Sequence, residues 1–393
     1  MSAPNFLVPD RHLRRATSLC GDKMAERAIS RRLAMVTAPE AETLEVEERK
    51  FLDQFADRRM GVQIHRDPDN NFKVRGTSMD YHGNDRPKPD LHRLAWRTQE
   101  GLNDGEGILI GVCETGVTDS PWLAGGYLAS PRDFEVFDLV QSDQPLPAKA
   151  GHGTFVTGLI LQQAPAAGVW VERVLDQQGE AFASEVVGAA IRLAERGVHI
   201  LNLSLGCYAD EPGFSDVMSA MVEDLHAINP NLVIVAAAGN REEGSKKDRE
   251  FFPARLPSVV AVSALAGDVN DSAGPAWADW ANRGDWVDFA ANGTNLLSTY
   301  LDNTPLGEYA TAPNQYDGWA RWSGTSFASA IASGVIARHM TRMGTRYARV
   351  AVDDLRRHAP LIQADGDVPA TPILERREWD QELLKVWGSP SGE

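Results

Sequence analysis

The chain has 393 residues, of which 43% are hydrophobic, including 10 Trp and 13 Phe, so it can bury a substantial core. Its net charge of -16 argues against nucleic acid or an anionic membrane as a partner, because phosphate groups require a basic face. Three cysteines (Cys20, Cys113 and Cys207) have neither metal-ligand spacing nor the pattern of a disulfide framework. No apolar run reaches membrane-spanning length.

The first 85 residues predict a small α+β extension. The segment from Arg31 to Ala38 predicts a strand, Glu40 to Phe55 an amphipathic helix, and Met60 to His65 a second strand. The N-terminus lacks the apolar core of a signal peptide, so we expect a cytoplasmic protein. A Pro-rich linker around residues 84–90 marks the end of the extension.

From Gly107 onward, apolar strands alternate with helices, which predicts an α/β fold with a mostly parallel β-sheet covered by helices on both faces. The predicted helix from Ser184 to Glu195 has Ser184 as its N-cap and Gly197 as its stop. We predict three regions: the extension at 1–85, a main domain at 86–345 and a C-terminal extension at 346–393. Functional groups in such folds collect where the strands end.

Four segments place reactive side chains at such positions. A buried strand ends at Glu114, His152 lies between two glycines at a predicted helix start, and Asn240 follows the strand Val233 to Ala238. Ser326 opens a helix rich in small residues. Each has an ordinary structural explanation when taken singly: a solvated acid, a structural histidine, a turn asparagine and a helix cap.

Taken together, the four residues supply the parts of an acyl-transfer site. Ser326 can attack a carbonyl once His152 accepts its proton, and Glu114 can orient the imidazole and stabilise its charged form. Asn240 can donate a hydrogen bond to the oxyanion that forms during the attack.

These segments resemble the subtilisin-like serine proteases over roughly residues 90–340. Gly151-His152-Gly153-Thr154 matches the histidine motif of that family, and Gly324-Thr325-Ser326-Phe327-Ala328 matches its serine motif. The resemblance implies the subtilisin-like fold and a serine endopeptidase with no required cofactor. It also implies that a peptide substrate adds as a strand to Ser204, Leu205 and Gly206, with a side-chain pocket walled by Ala237, Ala238 and Gly239.

Two departures from the family pattern are present: Glu114 stands where the family has aspartate, and Ala330 where it has proline. A glutamate keeps the charge but is longer by one methylene, so its carboxylate must fold back or the backbone must shift to meet His152. Ser-His-Glu triads work on another fold, so we expect activity. Asp119, five residues further on, is the nearest substitute acid.

Three functions remain open at this point. The first is an endopeptidase that processes an intracellular protein or peptide partner, with the extension acting as a propeptide or as a permanent regulatory domain that gates the cleft or recruits a dedicated partner. The second is an inactive scaffold that binds peptides. The third is an esterase that uses Asp354 and His358 after the serine. Acidic loops such as Asp268 to Asp271 lack a full calcium-ligand pattern, so solvated turns are the favoured interpretation there, with calcium left as an alternative.

Overall fold

The computed structural model describes most of the chain with gaps. The described residues are 5–20, 25–37, 46–57, 59–61, 88–89, 101–120, 122–135, 147, 149–176, 178–208, 212–241, 248–266, 274–302, 316–363 and 369–375. The predicted linker at 84–90 therefore lies outside this description except for residues 88–89, and the acidic loop at 268–271 lies wholly outside it.

The N-terminal unit is a small antiparallel sheet with two helices. Its elements are β1 (Asn5–Pro9), α1 (Asp10–Cys20), β2 (Ala25–Ala28), β3 (Leu33–Thr37), α2 (Val46–Asp53) and β4 (Arg59–Gly61). The sheet has the order β1-β3-β2, and the apolar side chains of Phe6, Leu7 and Val8 are buried. The strand predicted over 31–38 corresponds to β3, the helix over 40–55 to α2 and the strand over 60–65 to β4, with residues 38, 40–45 and 62–65 outside the described part. We did not predict β1, α1 or β2.

The remaining elements build the main body of the protein. Its helices are α3 (His152–Gln163), α4 (Ala183–Glu195), α5 (Pro212–Ile228), α6 (Thr325–Met343) and α7 (Ala348–His358). Its strands are β5 (Lys88–Pro89), β6 (Leu109–Glu114), β7 (Tyr127–Leu128), β8 (Gly168–Arg173), β9 (Glu180–Phe182), β10 (Ile200–Leu203), β11 (Cys207–Tyr208), β12 (Val233–Ala237), β13 (Phe251–Phe252), β14 (Val259–Leu265), β15 (Phe289–Asn292), β16 (Leu296–Asp302), β17 (Asp317–Trp322), β18 (Leu361–Ile362) and β19 (Thr371–Pro372).

Seven strands form the central sheet in the order β15-β14-β12-β10-β6-β8-β7, and every neighbouring pair is parallel. One face packs against α3 and α6, and the other against α4 and α5. Successive side chains of a strand point to opposite faces, so Val112 belongs to the first apolar layer and Cys113 to the second. The prediction of a mostly parallel sheet covered on both faces is confirmed.

Helix α6 runs through the middle of the protein, and every residue from Thr325 to Ala337 is buried. Small residues make this placement possible. A Cβ atom at Gly334 would lie 2.6 Å from the carbonyl oxygen of Ile160, so α3 and α6 approach at that glycine with backbone nearly in contact. The helix ends at Met343 and is capped by Gly344, whose φ of 65° is the left-handed conformation that glycine adopts readily.

Helix α4 begins differently from our prediction. It starts at Ala183, and the N-cap residue is Phe182 rather than Ser184. The carboxylate of Glu185 reaches back to accept a hydrogen bond from the backbone N–H of Phe182 at 2.9 Å. Ser184 instead donates its hydroxyl to Asp57 of the N-terminal unit at 2.6 Å. The N-cap prediction was wrong because a tertiary contact engages the serine.

The N-terminal unit docks on α4 and α5. Asp57 accepts hydrogen bonds from both the backbone N–H and the hydroxyl of Ser184, in the first turn of α4. On α5, Asp216 forms an ion pair with Arg11 and a hydrogen bond with His12, and Asp224 accepts a hydrogen bond from the backbone of Arg32 at 3.0 Å. In addition, β4 pairs antiparallel with β9.

At the other end of the chain, α7 packs on α6 and contributes Ala348, Ala351 and Val352 to the main apolar core. The short strand β5 joins the sheet of β16 and β17. The division into regions 1–85, 86–345 and 346–393 stays a prediction.

Candidate active site

The first two predicted residues meet in the core of the protein. Glu114 is the last residue of β6 and His152 the first of α3, and both side chains are completely buried. The distance from Nδ1 of His152 to Oε2 of Glu114 is 2.8 Å. The same carboxylate oxygen accepts a hydrogen bond from the backbone N–H of Thr115 at 3.1 Å. A glutamate therefore reaches the imidazole in this fold despite its extra methylene.

The glycines that flank His152 allow the helix to approach the strand end. A Cβ at Gly153 would lie 2.0 Å from the carbonyl oxygen of Gly116 and 3.0 Å from the Cβ of Glu114. Gly151 has φ of 71°, and a Cβ there would lie 2.5 Å from the ring of Tyr300. The role of both glycines in the structure is close backbone approach, which sets the distance between the helix and Glu114.

Aromatic rings enclose the imidazole of His152. Trp322 packs edge-on at 5.3 Å between ring centroids, and the ring of Phe327 lies at 5.1 Å. Among the described residues, Nε2 of His152 and Oε1 of Glu114 are buried atoms without a hydrogen-bond partner. The histidine is thus bound on one side only, through Nδ1, and its second nitrogen can accept a proton.

Ser326 is the second residue of α6, one position before the Phe327 ring that packs on His152. It is not a helix cap, because its hydroxyl donates to the carbonyl oxygen of Ser204 at 2.8 Å. Since Nε2 of His152 has no partner among the described residues, the Ser326 hydroxyl is not hydrogen-bonded to His152 in this structure, although the next residue, Phe327, packs on the imidazole. The first backbone amides of α6 point toward the same region, as they do at any helix N-terminus.

The side chain of Asn240 is held against the start of α6. Its Oδ1 accepts hydrogen bonds from the backbone N–H of Thr325 at 3.2 Å and from the Thr325 hydroxyl at 2.9 Å. These two bonds fix the amide plane next to Ser326, with Nδ2 as the donor end of the group. The sequence identified Asn240 by its position after a strand, but it gave no role to Thr325.

The predicted substrate-binding residues follow two neighbouring strands. Ser204, Leu205 and Gly206 continue from β10, and Ala237, Ala238 and Gly239 end β12 or follow it, with β10 and β12 paired in parallel register. All six are buried or nearly so in the described structure. They lie at the same sheet edge as Ser326, because Ser204 bonds to that residue.

A chain of buried polar groups ties α6 to β10, and the sequence did not reveal it. The Ser204 hydroxyl donates to the carbonyl oxygen of Ser326 at 2.8 Å and lies 3.1 Å from the Ser329 hydroxyl. Asn202 donates to the Ser204 hydroxyl at 2.7 Å and accepts from Ser333 at 3.0 Å. The i, i+4 spacing of Ser329 and Ser333 was a signal for one polar stripe on an otherwise apolar helix.

A second buried carboxyl group, Glu135, lies beside the Glu114–His152 pair. Its two oxygens accept the backbone N–H of Gly151 at 3.3 and 3.1 Å, and it also bonds to the Thr115 hydroxyl. Burial, together with repulsion from Glu114, raises the pKa of Glu135 to about 8, although the hydrogen bonds and Arg173 lower it. Glu135 therefore holds a proton at neutral pH.

The alternative acids do not approach the site. Asp119 is exposed and accepts a hydrogen bond from the Tyr127 hydroxyl at 3.4 Å. Asp354 and His358 lie on α7, where Asp354 also bonds to His339. His339 is 13 residues after Ser326 on α6 (339 − 326), which corresponds to about 20 Å along a helix. At that separation Asp354 and His358 cannot act on Ser326, so the esterase hypothesis is wrong.

Within the described part of the chain, none of the helices combines the length and the apolar character needed to cross a membrane. None of its clusters of His, Cys, Asp and Glu has the geometry of a metal site.

The fold and the site define a class: an α/β protein with a parallel sheet that brings an acid–histidine pair next to a serine at a helix N-terminus. The model of the Subtilase family matches residues 105–359, which is more than half of the chain. The chain belongs to this family of serine proteases. The resemblance predicted from the sequence is confirmed.

Two relatives and one solved structure show the extent of the similarity. The chain is 30% identical over 262 residues to the thermophilic serine proteinase of Bacillus sp. strain AK1, and 32% identical over 262 residues to the minor extracellular protease Epr of Bacillus subtilis. Each alignment covers 64% of this chain, but only 56% and 34% of those relatives. Fervidolysin from Fervidobacterium pennivorans, a keratinolytic enzyme related to subtilisin, shares the fold with a TM-score of 0.63 at 17% identity. That comparison covers 95% of this chain and 60% of fervidolysin, so it includes most of the N-terminal unit.

Proposed function

We propose that this protein is a serine endopeptidase that uses Ser326 as nucleophile, His152 as general base and Glu114 as the acid that orients the histidine. The observation that carries the proposal is the buried contact of 2.8 Å between Glu114 and His152, next to the helix that begins with Thr325 and Ser326. Membership of the subtilase family supports the same chemistry. Because the proposed reaction hydrolyses a peptide bond, its substrates are proteins or peptides.

Substrate binding and activation of the serine are coupled in this proposal. A peptide that adds as a strand along Ser204 to Gly206 presents backbone N–H groups that compete for the Ser204 carbonyl oxygen. This oxygen now accepts the Ser326 hydroxyl. Once displaced, the hydroxyl turns to Nε2 of His152, which is buried and has no partner among the described residues. Substrate thus helps to complete the nucleophile–base hydrogen bond.

The chemical steps then follow those of acyl transfer. Oγ of Ser326 forms a bond to the substrate carbonyl carbon while its proton passes to Nε2 of His152, and the carbonyl oxygen becomes an oxyanion. The backbone N–H of Ser326 and Nδ2 of Asn240 donate to that oxyanion. The proton on Nε2 goes to the leaving amine as the C–N bond breaks. A water molecule, activated by the same histidine, then hydrolyses the acyl-enzyme.

Labelling with a fluorophosphonate tests the proposal directly, because the probe needs an activated serine but no particular substrate. We expect one adduct, bonded through Oγ of Ser326 with loss of fluoride, and located by peptide mass spectrometry. The Ser326→Ala variant is the matched control and should stay unlabelled. Absence of an adduct under conditions in which a known subtilase reacts would contradict the proposal.

A second candidate is a non-catalytic peptide-binding scaffold, which the contact between the Ser326 hydroxyl and Ser204 favours. On this hypothesis the hydroxyl stays on Ser204 and never reaches His152. It expects that Ser326→Ala leaves the function of the protein in its cell unchanged. Loss of that function in the Ser326→Ala variant would eliminate the scaffold hypothesis.

The N-terminal unit acts in this proposal as an inhibitor of the cleft, either as a removable propeptide or as a permanent regulatory domain. Strand β4 pairs with β9 and also contacts β11, which continues the Ser204–Gly206 segment. A strand in this position lies where the acyl side of a peptide substrate would bind. The intracellular compartment and a dedicated partner stay predictions from the sequence.

Loss of the Asp57 contact is expected to activate the enzyme. Asp57 accepts two hydrogen bonds at the start of α4, and loss of such a cap costs about 1 kcal/mol, so Asp57→Ala should weaken docking about fivefold. We expect a severalfold higher initial rate on a short fluorogenic peptide. The control is Asp53→Ala, since Asp53 forms an ion pair only with Arg49 of its own helix among the described contacts.

Equal rates for Asp57→Ala and Asp53→Ala would contradict an inhibitory N-terminal unit. The intact mass of the purified protein separates the two forms of the hypothesis. Loss of about ninety N-terminal residues from the wild type but not from Ser326→Ala indicates a propeptide, whereas an intact wild type that responds to Asp57→Ala indicates a permanent regulatory domain.

A further inference from the structure

The predicted side-chain pocket lies between two backbone segments that diverge. Strands β10 and β12 are parallel neighbours, with Leu203 opposite Ala236, and both end within one residue of this pair. The chain then continues as Leu205–Gly206 on one side and Ala238–Gly239 on the other. Parallel strands that end together open a crevice between their continuations, where ligands bind in α/β folds.

The ring of Phe251 fills this crevice. A Cβ at Gly206 would lie 2.5 Å from Cε1 and 2.8 Å from Cζ of that ring, and a Cβ at Gly239 would lie 2.7 Å from its Cγ. The tip of the ring thus contacts one wall, its base contacts the other, and only glycine fits at either wall. Phe251 is 1% exposed. Sequence analysis identified the pocket walls Ala237, Ala238 and Gly239 but not this ring, because Phe251 comes from a different part of the chain.

Neighbouring groups hold Phe251 in place. Strand β13 pairs with β11, so that Phe251 lies opposite Tyr208, and the two rings pack edge to face at 5.0 Å. The Tyr208 hydroxyl donates to the carbonyl oxygen of Asn240 at 2.7 Å and accepts from Nδ2 of Asn282 at 2.7 Å. Asn282 also donates to the carbonyl oxygen of Ala238 at 3.0 Å. The Phe251 ring therefore packs on Tyr208, and hydrogen bonds through Asn282 connect Tyr208 to the pocket wall at Ala238.

We propose that Phe251 determines substrate specificity by restricting the acyl-side residue, the one that contributes the scissile carbonyl, to glycine, alanine or serine. The inference rests on the proposed endopeptidase function and names its substrate class. A longer side chain would have to displace a ring that is packed between two backbone segments, and overpacking of this kind is strongly unfavourable. We expect at least a tenfold preference for alanine over leucine or phenylalanine in kcat/KM.

A peptide series that differs only in the acyl-side residue tests the inference. For the wild type we expect cleavage after alanine to exceed cleavage after leucine or phenylalanine by at least tenfold. In Phe251→Ala, the ratio of kcat/KM after leucine or phenylalanine to kcat/KM after alanine should rise at least tenfold. Phe251→Leu, which keeps more of the packing, should shift the preference in the same direction by a smaller factor and serves if Phe251→Ala does not fold.

The matched control is Phe252→Leu. Phe252 is the next residue of β13, but its side chain packs in the apolar layer under α4 and α5. Its substitution should leave the preference for alanine unchanged. A wild type that cleaves equally well after large and small residues, or a Phe251→Leu variant with the wild-type preference, would overturn the inference.

Failure of the specificity inference is distinguishable from failure of the proposed function. Fluorophosphonate labelling of Ser326 does not depend on the acyl-side residue. A labelled protein with the wrong preference overturns only the role of Phe251. A protein that is neither labelled nor active on any peptide of the series overturns the endopeptidase function and, with it, this inference.

Discussion

Replacement of Glu114 by glutamine is expected to lower kcat about 10⁴-fold with little change in KM. The carboxylate binds Nδ1 of His152, and a glutamine at the same position can present its NH₂ group instead, which selects the wrong tautomer of the imidazole. It also removes the only charge that contacts the imidazolium among the described groups. Initial rates on a good peptide substrate, with active sites counted by fluorophosphonate titration, measure the effect.

The companion variant is Glu114→Asp, which keeps the charge and shortens the side chain by one methylene. The backbone of β6 is positioned for glutamate, so the shorter carboxylate should miss Nδ1 by about 1 Å, and kcat should fall about 100-fold. If Glu114→Asp equals or exceeds the wild type, the fold accepts either acid and the length of Glu114 is unimportant. If Glu114→Gln retains full activity, Glu114 is not the orienting acid.

Replacement of Glu135 by glutamine is expected to stabilise the protein at alkaline pH. The folded pKa of Glu135 is raised from 4.5 to about 8, so between these values the folded state holds a proton that the unfolded state has released. Stability therefore falls as the pH rises from about 4.5 to about 8. The full penalty is about 3–5 kcal/mol, at about 1.4 kcal/mol per pH unit. A neutral glutamine carries no such penalty.

Urea denaturation at pH 5, 6.5 and 8.5 measures this difference, in a Ser326→Ala background that prevents self-digestion. The advantage of Glu135→Gln should be small at pH 5 and several kcal/mol at pH 8.5. The control Glu106→Gln removes an exposed carboxylate from a turn and should show no comparable trend. An advantage that does not grow with pH would mean that Glu135 is ionised in the folded protein. The charges that face Glu135 are Glu114 and Arg173, and neither changes in these variants.

The strands and helices that carry the site could be predicted from the sequence because each has a strong local signal. The apolar run before Glu114, the small residues after Ser326 and the strand before Asn240 all lie in the elements that we predicted. Their meeting in space follows from the parallel sheet, since functional groups then collect at one edge. The sequence indicated that the proposed site requires a contact between Glu114 and His152, but only the structure gives the distance between the two side chains.

Other features depend on contacts between distant segments and have no local signal. Glu135 follows Phe134 in a segment without a motif, and only the fold buries it beside Glu114. Phe251 is far in sequence from both glycines that it contacts. Ser184 has the composition of a helix cap, but Asp57 of the N-terminal unit engages it. Helix α1 was not predicted because its sequence is rich in arginine, and its side chains Arg11 and His12 contact Asp216 of α5 through polar groups.

The buried hydroxyl groups between α6 and β10 have a mechanical consequence. Ser204 bonds to Ser326 in both directions, backbone to side chain and side chain to backbone, and Ser329, Ser333 and Asn202 extend this connection over two helical turns. These bonds connect Ser326 directly to the strand end where we propose that a peptide binds. For the proposed protease we therefore expect control to act on admission to the groove, by a segment that covers it or withdraws, rather than on the connection between Ser326 and Ser204.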